Sequence, residues 1–224
     1  FEVVPMRTEL DVHPLTLVFR GDQAPLESGY RKRMFDVYGR QTRFVVVVGV
    51  WRIASFGLMD VYSEAPDLRQ TWFIRYALDV PSWLLILALS FSPWFERIRQ
   101  YLVFFWVMTG GFFCIWLSFH ASELFELYYL VSAALIFLGG YMFLGASFLV
   151  ATSAGWSVVA LYPICSWLMG HEFDFVFQAS FALIMGLNAG GMLAAYVAEL
   201  RSRREFLVET LLVAERRKVE DANR

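Results

Sequence analysis

The sequence predicts an all-α polytopic membrane protein with six transmembrane helices, the sixth of which continues into the cytoplasm as a coiled-coil helix. The chain has 224 residues, of which 58% are hydrophobic and 18% aromatic. A single soluble domain of this length cannot bury so much apolar surface. Six stretches also reach the length of about 20 apolar residues that is needed to cross a hydrocarbon core about 30 Å thick. Length and composition together favour a membrane fold.

The six predicted spans are separated by short connections. They cover residues 44–62, 72–91, 101–119, 127–144, 148–169 and 173–198. The fourth and fifth spans nearly touch, but Gly145 between them suits a turn, because glycine adopts backbone conformations that are closed to other residues. The chain then divides into three parts: a cytoplasmic N-terminal segment, a transmembrane domain and a cytoplasmic helix, residues 1–43, 44–198 and 199–224.

Basic residues cluster on one side of the predicted spans. They precede the first span, lie between the second and third, and follow the sixth: Arg31, Lys32, Arg33, Arg40, Arg43, Arg97, Arg99, Arg201, Arg203 and Arg204. The opposite connections contain only Arg69. Because cytoplasmic loops carry an excess of Lys and Arg, both termini are predicted to be cytoplasmic. Pro25 suits the first turn of a helix, so an amphipathic helix should precede the first span at the headgroup boundary.

Four charged residues fall inside the first two spans, where each needs a partner or water because an isolated charge is costly in hydrocarbon. Arg52 and Asp60 lie on the first span, and Arg75 and Asp79 lie on the second. The two spans are antiparallel, so counting from their outer ends matches Asp60 with Arg75 and Arg52 with Asp79. We expect two ion pairs that join this hairpin. They either fix the register of the two helices or take part in sensing or gating.

The predicted outer face collects histidine and carboxylate side chains from two connections. They are His120, Glu123, Glu126, His171, Glu172 and Asp174. Their spacing is diagnostic of no metal site, and a ligand-binding or pH-sensing pocket, a metal or haem site and solvated loops remain the alternatives. The many aromatic residues allow a cavity for a small lipophilic ligand, although aromatic side chains near span ends also serve as interface anchors.

Small residues in the sixth span permit close helix packing. Gly186 and Gly190 form a GxxxG pattern, which in lipid allows two helix backbones to approach each other. The pattern serves either packing within the bundle or a dimer seam. Asn188 lies between the two glycines and is expected to form a hydrogen bond to another helix.

The helix of the sixth span should continue into the cytoplasm as one rod, because neither Gly nor Pro follows Gly191. Beyond the membrane, Leu200, Leu207, Leu211 and Ala214 recur at the a and d spacing of a heptad. Such a helix is marginal alone in water, whereas two parallel copies bury the seam. The sequence therefore predicts a homodimer through the exit helix.

Motifs of soluble enzymes are absent from the sequence, including the phosphate-binding glycine loop, HExxH and the nucleophile elbow. The net charge of −2 favours no nucleic-acid partner. Cys114 and Cys165 lie in apolar runs, so we expect no disulfide framework. The chain opens on Phe1 without a signal-peptide pattern, and we expect it to belong to a longer protein. Membrane lipid is the partner that composition indicates.

Several segments, in order, resemble the six-span N-terminal membrane region of bacterial signalling enzymes. They include "VFRGDQAPLESGYRKR", "FGLMDVY", "LALSFSPWFERIRQYL", "LYYLVSAALIFLGGYMFLGASFLVA" and "NAGGMLAAYVAELRSRREFLVETLLVAER", within residues 17–217. Such regions precede class III adenylyl or guanylyl cyclase domains, GGDEF diguanylate cyclase domains and, in some proteins, histidine kinase domains. The resemblance implies a dimeric sensor or anchor in the bacterial inner membrane, whose last helix drives the output domain.

The resemblance implies no catalytic residue and no cofactor within these 224 residues. The output domain that it implies beyond them needs a nucleoside triphosphate and a divalent metal. The end of the last quoted segment, "ER", suits the linker of either kind of cyclase, whereas "VEDANR" is also similar to the helix that enters a histidine kinase dimerisation domain. A small transporter or channel and a structural subunit of a membrane complex are the alternatives outside signalling.

Overall fold

The computed structural model describes residues 9–62, 68–119, 123–170 and 174–223. These ranges are helical apart from short connections and an N-terminal segment, and they contain no strand beyond an isolated antiparallel bridge between Val12 and Phe19. The all-α prediction is confirmed. The N-terminal segment ends in a 3₁₀ turn, Gly21–Gln23, immediately before the first long helix.

Six long helical elements follow in chain order. They are α1, Leu26–Asp60; α2, Leu68–Leu89; α3, Phe95–Ser118; α4, Glu123–Leu138 with the π-helical turn Gly139–Phe143; α5, Phe148–Leu168; and α6, Phe175–Ala222. Within α2, the stretch Phe73–Asp79 is π-helical. A π-helical stretch widens the turn and rotates the residues that follow it, and such stretches are frequent at functional sites.

Four of these elements, α2, α3, α5 and α6, are long and apolar enough to cross a membrane. The sequence predicts six. The apolar part of α4 within the described chain, Val131–Phe143, is shorter than a span, and α1 is not among the four. Arg43, Arg52 and Asp60 are spread along the second half of α1 and lower its apolar character. The four helices indicate a membrane protein.

Helix α6 is the longest element and has no break over 48 residues. Its first turn is capped by Asp174, whose carboxylate accepts a hydrogen bond of 2.8 Å from the Phe177 amide. At 1.5 Å per residue it extends about 72 Å, roughly twice the thickness of a hydrocarbon core. The continuation of the sixth helix beyond the apolar stretch is therefore observed as the sequence predicts.

The core lies around α3, which packs against α4 and α5, while α5 packs against α6 and α1 against α2. The indole rings of Trp83 and Trp106 meet at its centre with centroids 4.6 Å apart. Close approach depends on glycine, since a Cβ on Gly111 would lie 2.7 Å from the Val158 side chain. Gly145 makes the turn between α4 and α5 with a positive φ of 57°, which is unfavourable for residues with a Cβ.

Candidate functional site

A buried ion pair joins α1 to the π-helical stretch of α2. Arg75 donates two hydrogen bonds of 2.7 Å to the Asp60 carboxylate, from Nε and from Nη2. The side chains are 3% and 0% exposed. Tyr129 on α4 donates a third hydrogen bond of 2.6 Å to Asp60. The structure thus contains the first ion pair that the sequence predicts, and it adds a tyrosine that the helix spacing did not indicate.

The second predicted ion pair, Arg52 with Asp79, is not formed: no Arg52 nitrogen lies within 4.0 Å of an Asp79 carboxylate oxygen. The Arg52 guanidinium lies over the Phe56 ring instead, 5.2 Å from its centroid. Asp79 is 5% exposed, and its Oδ1 and the Nη1 of Arg52 have no hydrogen-bond partner. The prediction assumed regular α-helical spacing, and the π-helical turns before Asp79 rotate it away from the expected position.

The residues of the predicted outer pocket mostly lie outside the described part of the chain. This applies to His120, His171 and Glu172, and to the side chains of Glu123 and Glu126. Asp174 is described, and its carboxylate caps α6. Across the residues that the structure describes, no group of three histidine, cysteine or acidic side chains could hold a metal ion.

The GxxxG pattern of α6 faces outward. Gly186 and Gly190 are exposed, and a Cβ built on either would meet no atom within 4 Å. With Ala182 and Ala194 they line an apolar groove of about 500 Å³ between α4 and α6. The alternative of packing within the bundle is therefore wrong for these two glycines. Their face remains open to another helix or to lipid.

Asn188 lies on the opposite, buried face of α6. Its Oδ1 accepts a hydrogen bond of 2.6 Å from the Tyr141 hydroxyl on α4, so the predicted hydrogen bond between helices is confirmed. Gly155 on α5 makes room for this contact, because a Cβ there would lie 2.1 Å from the Asn188 Oδ1. This polar contact fixes α6 against α4 and α5.

A second buried ion cluster joins the beginning of α1 to α6, and we call it the Arg203 clasp. Arg203 donates to Glu27 at 2.7 Å and to Glu199 at 3.0 and 2.8 Å. Its guanidinium lies over the rings of Tyr30 and Phe19, at 4.3 and 5.1 Å from their centroids. The Arg203 side chain is 4% exposed. Charge-assisted hydrogen bonds and cation–π contacts are both strongest in such desolvated sites.

The Arg203 clasp also reaches the start of α5. Glu199 accepts a hydrogen bond of 2.6 Å from the Phe148 amide, which is one of the unpaired donors at that helix N-terminus. Glu27 accepts one of 3.3 Å from the Phe19 amide. One cluster therefore connects the N-terminal segment, the beginning of α5 and the exit helix.

Electrostatics favour the ionised form of Glu27. Burial alone raises the pKa of this carboxyl, but the hydrogen bonds from Arg203 and Arg31 outweigh it, and the pKa lies below the usual 4.5. Burial raises the pKa of Tyr30 to about 12. The clasp thus holds a carboxylate and a neutral phenol around Arg203 at neutral pH.

The predicted dimer seam is partly covered by the chain itself. Leu207 is 1% exposed, Leu200 and Leu211 are half-buried, and only Ala214 is exposed. Beside Leu207, the Phe206 ring lies 5.7 Å from the Tyr30 ring.

The open apolar face is offset from this seam. It contains Val208, Leu212 and Val219, which are 47%, 58% and 57% exposed. Val208 and Leu212 each follow a seam leucine by one residue, or about 100° around the helix. The available pairing surface of α6 is therefore displaced from the predicted one.

The sequence pattern indicated Arg203 only as one of several basic residues near the membrane. Its spacing of four from Glu199 is the signal that could have suggested an ion pair. The contact with Glu27 joins residues 176 positions apart, and no local pattern reports it.

These features define the class of the chain as an all-α protein with membrane-spanning helices and a long exit helix held by buried ion pairs. Comparison with known proteins adds no family, because no family model, no curated protein and no solved structure matches the chain.

Proposed function

We propose that the chain is the membrane sensor, anchor and dimerisation region of a bacterial signalling enzyme, with a nucleotide cyclase as its output. In this proposal all six helices cross the inner membrane, and α6 carries a change in the bundle to catalytic domains in the cytoplasm. The observation that supports it most is the unbroken course of α6 from the bundle to Ala222. A sensor histidine kinase is the alternative output on the same helix.

The proposed topology places both ends of the chain on the cytoplasmic side. Glu27 at the start of α1 contacts Arg203 in the second half of α6, which supports a common side for the two ends. Two connections lie near that side as well. Arg99 donates to the Leu144 carbonyl at 3.1 Å, and Gln100 accepts from the Ser147 amide at 3.0 Å. An even number of crossings and the basic residues on this side agree with the topology.

Self-association would use the outward face of α6. The small residues of the groove, from Ala182 to Ala194, lie on the same side of the helix as Val208 and Leu212. Small residues allow two helices to approach in lipid, and apolar side chains at alternating steps of three and four bury a seam in water. A parallel second copy satisfies both requirements with one straight helix.

Signal transfer then requires two arrangements of the bundle that differ in the rotation or height of α6. A signal shifts their populations only by its differential affinity for them. A helix without Gly or Pro between the bundle and Ala222 transmits such a displacement because it has no hinge. A displacement of α6 would then change the alignment of the two catalytic domains.

The test is an insertion series behind a reporter domain. The catalytic domain of a class III adenylyl cyclase is joined after Arg224, and one to seven alanines are inserted at the junction. Each added residue turns the output by about 100°, and seven restore the heptad phase. Synthesis of cyclic AMP in membrane vesicles should therefore fall for the intermediate lengths and recover at seven. An output that is the same for all seven lengths would contradict transmission through α6.

A transport function is the second candidate, and the unpaired polar atoms of Arg52 and Asp79 favour it. Buried ionisable side chains inside a span are typical of ion pathways, and π-helical turns are frequent at functional sites. The purified chain in liposomes should then carry protons or other ions, and Asp79→Asn should abolish the flux. Liposomes that contain the unmodified chain and show no flux of protons or other ions would favour the signalling function.

A further inference from the structure

Two aspartates lie inside the bundle in contrasting surroundings. Asp60 accepts two hydrogen bonds from Arg75 and one from Tyr129, so its negative charge is paired. Asp79 is 5% exposed, and within the described part of the chain no donor forms a hydrogen bond to its Oδ1. We propose that Asp79 is a proton-binding site of the bundle, and that Arg52 sets the pH at which the proton is released. This inference rests on the burial of Asp79 and on neither of the proposed functions.

The position of Asp79 makes its ionised form costly. It lies near the middle of α2, a 22-residue apolar helix from Leu68 to Leu89. A charged side chain is expensive at the centre of a span, whereas a neutral carboxyl loses far less solvation when it is buried. Binding a proton therefore lets Asp79 remain buried without an ion pair.

Arg75 cannot neutralise Asp79, because its guanidinium is already occupied. Its Nε and Nη2 donate to the Asp60 carboxylate of α1, and its Nη1 donates to the Ile53 carbonyl at 3.4 Å. Tyr129 of α4 donates to the same carboxylate at 2.6 Å. This ion pair is complete in itself, so the charge of Asp79 needs either a proton or another cation.

Arg52 on α1 is the cation that influences Asp79 from a distance. The two side chains interact electrostatically, but no Arg52 nitrogen lies within 4.0 Å of the Asp79 carboxylate. The guanidinium is instead held 5.2 Å from the centroid of the Phe56 ring. Its positive charge favours the ionised form of Asp79 without forming an ion pair. Arg52 therefore makes the proton easier to release.

The other neighbours of Asp79 follow from the helices that pack against it. The π-helical stretch that ends at Asp79 contacts α1 and α3. On α3 the titratable group is the buried thiol of Cys114, which lies beside Arg52. In the part of the chain that the structure describes, these two groups and the pair of Arg75 with Asp60 are the charged and titratable side chains around Asp79. Because Asp60 keeps its charge paired, Asp79 holds the exchangeable carboxyl proton of the site.

Proton binding is linked to the arrangement of α1 and α2. Any change that moves Arg52 relative to Asp79 changes the affinity of this carboxyl for its proton. By thermodynamic reciprocity, a change in pH then shifts the balance between such arrangements. The π-helical stretch beside the site is a place where α2 can change its local geometry. The proton is thus the ligand through which the bundle responds to pH.

Infrared spectroscopy of the full chain in lipid bilayers tests the protonation of Asp79 directly. The chain is prepared with isotope-labelled aspartate, because the label separates the carbonyl stretch of neutral aspartic acid from that of glutamic acid. Spectra are recorded from acid to alkaline pH. Asp79→Asn removes the proposed site, Arg52→Gln removes the nearby cation, and Asp36→Asn on the exposed surface of α1 is the matched control.

We expect the signal of neutral aspartic acid at neutral pH in the unmodified chain and in the Asp36→Asn control, and its loss in Asp79→Asn. In Arg52→Gln the signal should persist to a pH about 1–3 units higher, which is the usual effect of an opposite charge nearby. Unfolding provides a second measurement. Asparagine resembles the neutral carboxyl, so Asp79→Asn should unfold with the unmodified chain at neutral pH, whereas Asp60→Asn should unfold earlier.

Each contrary result decides against a stated part of the inference. A labelled chain without neutral aspartic acid at neutral pH, or a signal that survives in Asp79→Asn, would overturn the site. Loss of the signal at the same pH in Arg52→Gln would overturn control by Arg52. An Asp79→Asn chain that fails to fold, or that is as unstable as Asp60→Asn, would mean that Asp79 needs its charge and would also overturn the site. These measurements use neither an output domain nor ion flux, so their failure leaves both proposed functions standing.

Discussion

Asp60→Asn removes the negative charge that holds Arg75 in the bundle. Arg75 loses two hydrogen bonds of 2.7 Å to a carboxylate whose side chain is 0% exposed. Breaking a buried ion pair by removing one member costs about 3–5 kcal/mol, because the remaining charge stays buried without its partner. We therefore expect a loss of about 3–5 kcal/mol in the free energy of unfolding.

Two further variants isolate the contribution of the charge. Tyr129→Phe removes only the hydrogen bond of 2.6 Å to Asp60, which should cost about 1.5–3 kcal/mol. The double variant Asp60→Asn with Arg75→Gln removes both charges and should recover much of the loss. A double variant less stable than Asp60→Asn alone would mean that the unpaired charge is not the cause.

The assay is reversible unfolding of the purified chain in mixed micelles with an increasing fraction of dodecyl sulfate, followed by tryptophan fluorescence and circular dichroism. The expected order of stability is the unmodified chain, Tyr129→Phe, and then Asp60→Asn. A smaller loss in the free energy of unfolding for Asp60→Asn than for Tyr129→Phe would contradict the stabilisation of Arg75 by the Asp60 charge.

Three further predictions concern packing, pH and association. Gly155→Ala places a Cβ 2.1 Å from the Asn188 Oδ1 and should lower the free energy of unfolding by about 1–3 kcal/mol in the same titration. In Gly186→Ala the new Cβ meets no atom within 4 Å, so the free energy of unfolding should change by no more than about 0.5 kcal/mol. The pKa of Glu27 is lowered from 4.5, so ionised Glu27 stabilises the folded chain fully above that pH, and this contribution is lost as the pH falls below it. Glu27→Gln should remove this acid dependence from thermal unfolding curves. Gly190→Ile should weaken self-association in sedimentation equilibrium by filling the groove while leaving helix content unchanged.

The helices and one ion pair could be predicted because their signals are local. Long apolar stretches report helices directly, and a short connection between antiparallel spans relates the depth of Asp60 to that of Arg75. The same reasoning wrongly predicted an ion pair between Arg52 and Asp79, because a π-helical stretch cannot be recognised from apolar spacing. One change in the helix type was enough to separate two residues that regular geometry brings together.

The heptad seam of α6 shows a different limit of prediction from sequence. Leu200, Leu207 and Leu211 have the spacing of a dimer interface, and that pattern correctly reports a buried stripe. It cannot report what covers the stripe, because the same apolar positions serve a second copy or the chain's own N-terminal segment. The contacts of Arg203 with Glu27 and of Phe206 with Tyr30 distinguish the two, and both join residues that are too distant in the sequence to leave a pattern.

The distance between two copies of α6 in lipid tests self-association through the open face most directly. Spin labels at Leu212 on the open face and at Arg217, about 140° away around the helix, are compared in separate samples of the full chain in bilayers. Pairing through the open face predicts a short, narrow distance distribution for Leu212, in keeping with helix axes about 8–10 Å apart, and a longer one for Arg217. A shorter distance for Arg217 than for Leu212, or no measurable dipolar coupling at either position, would contradict it.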